Sequence, residues 1–460
     1  MLPTWEPGVN RVGGSRRLAG VSEYPQWQGR RLHFVGVGGV GMSGLAIVAR
    51  TLGASVTGSD RVQRRWLGRV RERDIEVTLG HAPQNVPDGA EVVYSSAVDA
   101  DNPERERART RGQREVRRGE LLGELSRLRP CIAVGGTHGK TSTAAMIVHV
   151  LRAAGERPGY VIGGEPRGTG ANAEWGAGSW LVVEADESDR TFLALAADVA
   201  VVTNVELDHH REFGSVQDVE EAFHAFLARA PEAVVWDRPE LLALRDGPVV
   251  PFDAPDPVLE CGGSRFLWRG LEVGLEVPGE HNARNAAAAL ETCRLVGVEP
   301  KRAVDALARF EGVGRRFEAL GTTTAGARVY DDYAHHPTEV RATLDAARTL
   351  EPERLVAVLQ PHGYHRVAAM ADEFGEALAC ADLAVVVEAY STRRRAEEHA
   401  NVSAEAIASA AAEAAEEATV LWMPELGAAE RYLRAELCAG DLCVTLGSGD
   451  VDSLARQLVA

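Results

Sequence analysis

Residues 133–145 read AVGGTHGKTSTAA, and the residue types in that stretch suit one task, holding phosphate. Lysine occurs at only two positions in the chain, Lys140 and Lys301; the remaining strongly basic side chains are all arginine. A chain so biased keeps a lysine where arginine cannot replace it. A phosphate-gripping loop is such a place, because an ammonium is a compact point charge and a planar guanidinium does not fit the same hole. Lys140 would reach the β- and γ-phosphates of a nucleoside triphosphate, and the Thr141 hydroxyl would bind Mg2+. Backbone N–H groups across Gly136, Thr137, His138, Gly139 and Ser142 would face the anion at a helix N-terminus. The loop departs from G-x-x-x-x-G-K-[ST] in one respect. Val134 stands five residues before Gly139, so the loop is one residue shorter. A glycine-rich turn that carries a lysine by chance is the competing account.

A second loop of this kind lies upstream, in RLHFVGVGGVGMSGLAIVARTLGASVTGSD. Gly36, Gly38 and Gly41 satisfy G-x-G-x-x-G, and Asp60 ends the next apolar run about 20 residues on, as the dinucleotide fingerprint asks. Alone this suggests NAD and a dehydrogenase. Many nucleotide diphosphates fit the same helix N-terminus, however. A dehydrogenase has no use for Lys140, so the pair of loops favours ATP-driven chemistry on a substrate that itself carries a diphosphate.

Acids and imidazoles gather at the ends of later apolar runs. WLVVEADESD ends in carboxylates from Glu184 to Asp189, and VAVVTNVELDHH ends in Asn204, Glu206, Asp208, His209 and His210. In a parallel sheet both ends share an edge with the phosphate loop. Oxygen ligands with an imidazole suit Mg2+ or Mn2+; each acid singly is as well explained by a helix cap or a solvated loop. In VPGEHNARNAAAALETCRLVG, Asn282 reads either as a helix cap or, with Asn285, as an amide near an adenine. Arg315 and Arg316 precede RVYDDYAHHPTEV, where Asp331, Asp332, Tyr333, His335 and His336 crowd one strand end.

The elements that must position these groups read as strands followed by glycine loops and helices. CIAV before the lysine loop is a buried strand, and TSTAAMIVHVLRAAG is a helix with Gly155 as its stop. LVAVLQPHGYHR and LCVTLGSGDV are further strands with polar or glycine ends. The 460 residues suggest about three α/β domains. Residues 1–30 have no signal-peptide core and read as a mobile arm, so a cytoplasmic location is expected. Six cysteines without C-x-x-C spacing fit reduced thiols. The net charge of −17 argues against nucleic acid, and no apolar run is long enough for membrane insertion. The charge is uneven: residues 1–130 hold 21 Arg and 15 Asp plus Glu, a net of +6, leaving −23 for the rest. A basic first domain suits an anionic small molecule. The run DNPERERARTRGQREVRR reads equally well as a solvated helix face.

In order, GVGGVGMSG, GTHGKTST, EADESD, TNVELDH, HNARNAAAA, GRRFE, DDYAHHPTE and QPH resemble the Mur ligases, over about residues 31–451. The resemblance implies three domains: a Rossmann-like UDP-sugar domain at 31–128, a central P-loop ATP domain at 129–318, and a C-terminal Rossmann-like domain at 319–460. It implies ATP and Mg2+, with two ions and Mn2+ as a possible substitute, and an acyl-phosphate route that joins L-alanine to the lactyl carboxylate of UDP-N-acetylmuramate. It places Gly38, Gly39, Val40, Gly41, Met42 and Asp60 on the UDP-sugar. Lys140 falls on the phosphates, Asn282 and Asn285 near the adenine, Arg316 near the phosphates and Asp332 on the ribose. Thr141, Glu184 and His209 fall on metal. Tyr333, His335 and Arg366 fall in the amino-acid pocket, with Lys140, His335 and Arg366 as the catalytic set and His335 either a base or an orienting group. Three departures stand out. Gly363 occupies a position where the family often has arginine, STRRRAEE after Tyr390 diverges, and no lysine lies between 140 and 301 to carry a metal-bridging carbamate. A recycling ligase that adds a whole tripeptide, a dehydrogenase and a non-catalytic nucleotide sensor are the alternatives. A monomer and a homodimer are both compatible with the sequence.

Overall fold

The computed structural model describes residues 24–208, 212–390, 401–415 and 417–460. Three mixed α/β units follow one another, each built on a sheet that is parallel apart from one antiparallel pair in each of the second and third. The first sheet contains β1 (Arg31–Val35), β2 (Ser55–Asp60), β3 (Glu76–Leu79), β4 (Glu91–Tyr94) and β5 (Glu115–Arg117) in the order β3-β2-β1-β4-β5, all parallel. Its helices are α1 (Val40–Thr51), α2 (Arg65–Arg71), α3 (Pro103–Thr110) and α4 (Arg118–Ser126). The strand order reverses between β1 and β4, which opens a crevice at the strand ends beside the glycine loop.

The second sheet uses β6 (Cys131–Gly135), β7 (Gly159–Val161), β8 (Ala173–Glu174), β9 (Leu181–Glu184), β10 (Val199–Val202), β11 (Glu232–Trp236) and β12 (Val250–Phe252), in the order β12-β11-β10-β6-β9-β7-β8. Only β7 and β8 pair antiparallel. Around it lie α5 (Lys140–Ala153), α6 (Val216–Leu227), α7 (Pro239–Leu242), α8 (Glu280–Leu295) and α9 (Pro300–Leu307), with a meander of β13 (Val258–Glu260), β14 (Gly263–Trp268) and β15 (Leu271–Leu275). Strands β6, β9 and β10 are buried on both faces, which their unbroken apolar runs require.

The third sheet has β16 (Glu318–Thr322), β17 (Arg328–Asp332), β18 (Arg354–Leu359), β19 (Leu383–Val386), β20 (Thr419–Trp422) and β21 (Asp441–Leu446), ordered β16-β17-β21-β18-β19-β20. Helices α10 (Pro337–Arg348), α11 (Tyr364–Leu378), α12 (Glu405–Ala414), α13 (Leu426–Glu436) and α14 (Val451–Leu458) cover it. Among the described residues no helix is long and apolar enough to cross a membrane.

The first two units share a core: Leu45 of α1 and Leu121 of α4 belong to one buried cluster with Leu181 and Phe223. Of the arm expected over residues 1–30, residues 1–23 lie outside the described residues, and 24–30 pack on the domain. Trp27 is buried in that same core, Tyr24 meets Trp175 edge-on at 5.6 Å, and Arg30 pairs with Glu91 at 2.6 Å. An isolated tryptophan without periodic apolar neighbours gives no strand or helix signal, which is why the segment read as an arm.

Candidate functional site

The lysine loop joins β6 to α5. Gly136 and Gly139 have φ of 127° and 81°, values that glycine adopts without strain. A Cβ at Gly136 would stand 2.0 Å from Thr203 Oγ1, and one at Gly139 would stand 2.4 Å from Asn285 Oδ1. The loop is braced by the end of β10: His138 N–H donates to Asn204 Oδ1 at 2.8 Å and Thr203 Oγ1–H to His138 O at 2.5 Å. Lys140 Nζ donates to Gly136 O at 2.6 Å, Thr137 O at 3.0 Å and Glu187 Oε2 at 2.9 Å. Burial works against its charge, but Glu187, Asp186 and Glu184 outweigh burial and raise its pKa. Burial pushes Glu187 up to about 7 against the pull of Lys140, so the ammonium is the firmly charged member of the pair.

Thr141 Oγ1–H donates to Glu184 Oε2 at 2.8 Å, and the same carboxylate oxygen accepts from Gly163 N–H at 2.6 Å. A hydroxyl and a carboxylate this close, with Asp186 two residues beyond, form the hard oxygen set that Mg2+ prefers, so the residues fit the ion. His209, the third expected ligand, lies outside the described residues, as does the divergent stretch 391–398.

Asn285 sits by the loop. Its Oδ1 accepts from Thr143 Oγ1 at 3.2 Å, and its Nδ2 donates to Asn282 Oδ1 at 3.3 Å. Asn282 is not the helix cap; Gly279 holds that position and Asn282 Nδ2 donates to Pro278 O at 2.8 Å. Asn282, Ser142 and Arg316 line a cavity of about 450 Å³, with Phe317 and Tyr330 stacked in its wall at 4.6 Å and 28°. Stacked rings beside side-chain amides suit a nucleobase.

Arg316 reaches the loop, its Nη2–H donating to Thr141 Oγ1 at 3.3 Å. Left-handed Arg315 (φ 61°) and Phe317 (φ 48°) flank it, each a cost of order 1–3 kcal/mol that surrounding contacts offset. Arg315 supplies those contacts, donating to Asp331 Oδ2 at 2.9 Å and Gly447 O at 2.7 Å. Asp332 accepts from Phe317 N–H at 2.6 Å and Ala334 N–H at 2.7 Å, and burial pushes it up to about 6. Each of its oxygens already serves the loop, so any sugar hydroxyl would share it.

His335 lies in the same wall as Tyr333. Its backbone N–H donates to Glu339 at 2.9 Å, and its Nδ1 lies 3.0 Å from Tyr333 O, which makes Nδ1 the protonated nitrogen. Burial pushes the imidazole down to about 3. Arg366 is placed differently from the expectation. It is 3% exposed, and its Nε and Nη2 donate to Asp208 Oδ1 and Oδ2 at 2.9 and 2.8 Å. A guanidinium closed onto a carboxylate is not available to a substrate carboxylate unless Asp208 yields. Gly363 has φ 80°, and a Cβ there would meet His365 at 2.6 Å, so local geometry accounts for the missing arginine.

In the upstream loop, Gly38 N–H donates to Asp60 Oδ2 at 2.9 Å and Gly39 caps α1. Val40 O accepts from Asn172 Nδ2 at 2.6 Å. Asp60 is buried and also receives Arg64 Nε–H at 3.3 Å. The Met42 side chain points into the core at 3% exposure, so only its backbone faces the crevice.

A second cavity, of about 230 Å³, runs from Val40, Gly41 and Arg118 past Lys140, Thr141 and Glu184 to Tyr333 and His335. It also touches His138, which ties the loop to α10. His138 Nδ1 lies 3.1 Å from Glu339 Oε1 and its Nε2 lies 3.4 Å from Glu206 Oε2. Burial opposes its charge, yet Glu339 and Glu206 raise it to about 9. His336 has ligand-bearing atoms within 4.8 Å of both His138 and Glu206. Sequence reading missed Arg118, Asn172 and Glu339. Glu339 stands two residues after Pro337 in the first turn of a helix, a position that reads as ordinary capping chemistry.

Residues 31–129 match the Mur ligase family, catalytic domain; residues 134–293 match the Mur ligase middle domain; residues 315–449 match the Mur ligase, glutamate ligase domain. A UDP-N-acetylmuramate–L-alanine ligase of Acidithiobacillus ferrooxidans is 41% identical over 454 residues, covering 93% of this chain and 97% of that protein. The protein of the same name from Rhizobium meliloti is 38% identical over 454 residues, covering 93% and 96%. Among solved structures, the UDP-N-acetylmuramate-alanine ligase of Thermotoga maritima superposes with a TM-score of 0.81 at 28% identity, covering 93% of this chain and 98% of that one. A murein peptide ligase of Psychrobacter arcticus shares the fold, with a TM-score of 0.73 at 24% identity over 94% and 98%. Three family stretches in their expected order, and relatives at this identity along nearly the whole length, carry the conclusion that the chain belongs to the Mur ligase family.

Proposed function

We propose that the chain is an ATP-dependent ligase that joins the amine of L-alanine to the lactyl carboxylate of UDP-N-acetylmuramate, a step in peptidoglycan precursor synthesis. The observation that carries this reading is the single cavity reaching from the glycine loop at Gly41 to Lys140 and Glu184, and on to Tyr333 and His335. Three ligands must meet to form this amide, and that cavity touches one loop for each. The lactyl carboxylate attacks the γ-phosphorus of ATP and ADP leaves; the alanine nitrogen then attacks the acyl carbon and phosphate leaves. Lys140 and Arg316 face the transferring phosphoryl and spread its charge. Thr141 would hold one Mg2+, and Glu184 with His209 a second, substrate-side ion; when bound, the metal neutralises phosphate charge. Both Mg2+ and Mn2+ suit this oxygen set. The base stacks near Phe317 and Tyr330, with Asn282 on its edge and a ribose hydroxyl sharing the Asp332 carboxylate with the backbone N–H groups that hold it. With a pKa of about 3, His335 orients the amine through its Nε2 lone pair and is a feeble proton acceptor at neutral pH. Segments 31–128, 129–318 and 319–460 act as the UDP-sugar, ATP and amino-acid units, in the cytoplasm, with closure excluding water from the acyl phosphate.

The deciding experiment measures ADP release with UDP-N-acetylmuramate against each amino acid and against the tripeptide. L-alanine alone as the best acceptor supports the reading. A tripeptide that outruns it makes the chain a recycling ligase, and NADH binding at the glycine loop revives the dehydrogenase.

A further inference from the structure

Arg118 stands where the two phosphate loops meet. It is the first residue of α4 and closes the arginine-rich run that the sequence presents as a solvated face. Its neighbours in that run fit the bland description: Arg114 is 56% exposed and pairs with Glu91 and Glu124 at the surface. Arg118 does not. It is 19% exposed, and its Nη2 donates to Asp186 Oδ2 at 2.7 Å. A Cβ built on Gly41 would stand 2.9 Å from its Nη1. One guanidinium thus spans from the first turn of α1 to the acid cluster beyond Glu184, and it lines the cavity that joins them.

Gly41 strengthens the point. It is absent from the glycines with positive φ, so its backbone needs no glycine. Glycine is also a poor helix former. A side chain at 41 would meet the end of the flexible Arg118 side chain and push the guanidinium aside. Glycine at 41 leaves that cation in place at the N-terminal turn of α1, where backbone N–H groups attract an anion.

We infer that Arg118 is a direct contact to the diphosphate of the UDP-sugar, and that Asp186 holds the guanidinium in position before the sugar arrives. The inference rests on the ligase reading above. The diphosphate is favoured over the lactyl carboxylate because Nη1 lies against Gly41 of the glycine loop, whereas Lys140, which the lactyl group must approach, is held by Glu187 and its own loop carbonyls. A guanidinium meets phosphate oxygens with paired, charge-assisted hydrogen bonds, and an arginine already oriented by a carboxylate loses little freedom on binding.

The test uses the full chain and Arg118→Ala, titrated calorimetrically with UDP-N-acetylmuramate and with UDP-N-acetylglucosamine, which carries the same diphosphate without the lactyl group. Loss of a hydrogen-bonded charge should weaken both sugars alike by roughly 10- to 100-fold. The Michaelis constants for ATP and L-alanine should stay near those of the parent. Arg118→Lys should fall between the two for both sugars. If Arg118→Ala folds poorly, Gly41→Ala crowds the guanidinium without removing it and should weaken both sugars in the same pattern. Weakened binding of UDP-N-acetylmuramate alone would move the contact to the lactyl carboxylate and overturn the assignment. So would a uniform rise in all three Michaelis constants with a lower melting temperature, the mark of a structural role. An active parent whose Arg118→Ala variant binds both sugars normally sinks the assignment only. A parent that binds neither sugar sinks the ligase reading with it.

Discussion

Replacing Lys140 by arginine tests the phosphate assignment while keeping the charge. In the structure three groups surround Nζ: Gly136 O at 2.6 Å, Thr137 O at 3.0 Å and the Glu187 carboxylate, with Oε2 at 2.9 Å and Oε1 at 3.1 Å. They form a socket for a tetrahedral ammonium with three donors. A planar guanidinium spreads its donors in a fork and cannot point them at all three acceptors from one centre. The fold should tolerate the change. Glu187 keeps a cation beside it, and its pKa of about 7 lets it take up a proton wherever that cation sits badly. Catalysis should not tolerate it. Loss of one preorganised electrostatic stabiliser costs about 10²–10³ in rate, or roughly 2.7–4 kcal/mol. Coupled ADP release at saturating substrates measures the rate, and a circular-dichroism melt checks the fold. A Lys140→Arg variant that melts like the parent and turns over within about threefold of it, roughly 0.65 kcal/mol of lost stabilisation, would refute the reasoning.

Glu184→Ala removes the carboxylate that accepts from Thr141 and should lower apparent Mg2+ affinity by roughly 10-fold or more; an unchanged rate-against-Mg2+ titration would free Glu184 from the metal. At Gly363, where the family often has arginine, a left-handed non-glycine residue costs about 1–2 kcal/mol before the approach to His365, so Gly363→Arg should lower the melting temperature and should not improve the Michaelis constant for L-alanine. His138 supplies a pH test. Its folded pKa of about 9 exceeds an unfolded value of about 6.5, so its contribution is fully present below about 6.5 and is lost as pH rises through about 9. The parent should lose thermal stability over that window, and Glu339→Gln should flatten the slope.

The sequence made the loops legible because their chemistry is local. Gly136 to Thr141 and Gly36 to Gly41 are consecutive, and a strand, a glycine turn and a helix must follow one another for either loop to form. Glu184 was legible as a strand end, whereas β10 stops at Val202 and Asp208 lies in the loop beyond it. The partners were not legible, since partnership is set by topology. Asp208 and Arg366 are 158 residues apart, and nothing local in QPHGYHR says that its arginine closes on a carboxylate rather than on a substrate. Arg118 was hidden for the opposite reason. It sits among arginines that are surface residues, and composition cannot separate one buried guanidinium from its exposed neighbours. At Gly363 the sequence shows only a departure from the family, whereas the φ of 80° shows a backbone that favours glycine.

Three strong cations of the site are already paired with carboxylates: Lys140 with Glu187 at 2.9 Å, Arg118 with Asp186 at 2.7 Å and Arg366 with Asp208 at 2.8 Å, whereas Arg316 donates to the Thr141 hydroxyl. An anionic substrate that meets one of these three would bind by exchange. A phosphate that takes Lys140 or Arg118 leaves an acid beside it, and a buried acid next to a phosphate is repelled unless it takes up a proton or meets a divalent cation. Glu187 can take the first course, since its pKa is about 7. For Asp186, two residues from Glu184, the second is open, because the Thr141–Glu184 pair suits Mg2+. The pairs also explain how a chain with a net charge of −17 holds cations ready for anions: an arginine or lysine buried alone would be costly, and one buried with a carboxylate keeps its charge and orientation until the substrate replaces that carboxylate.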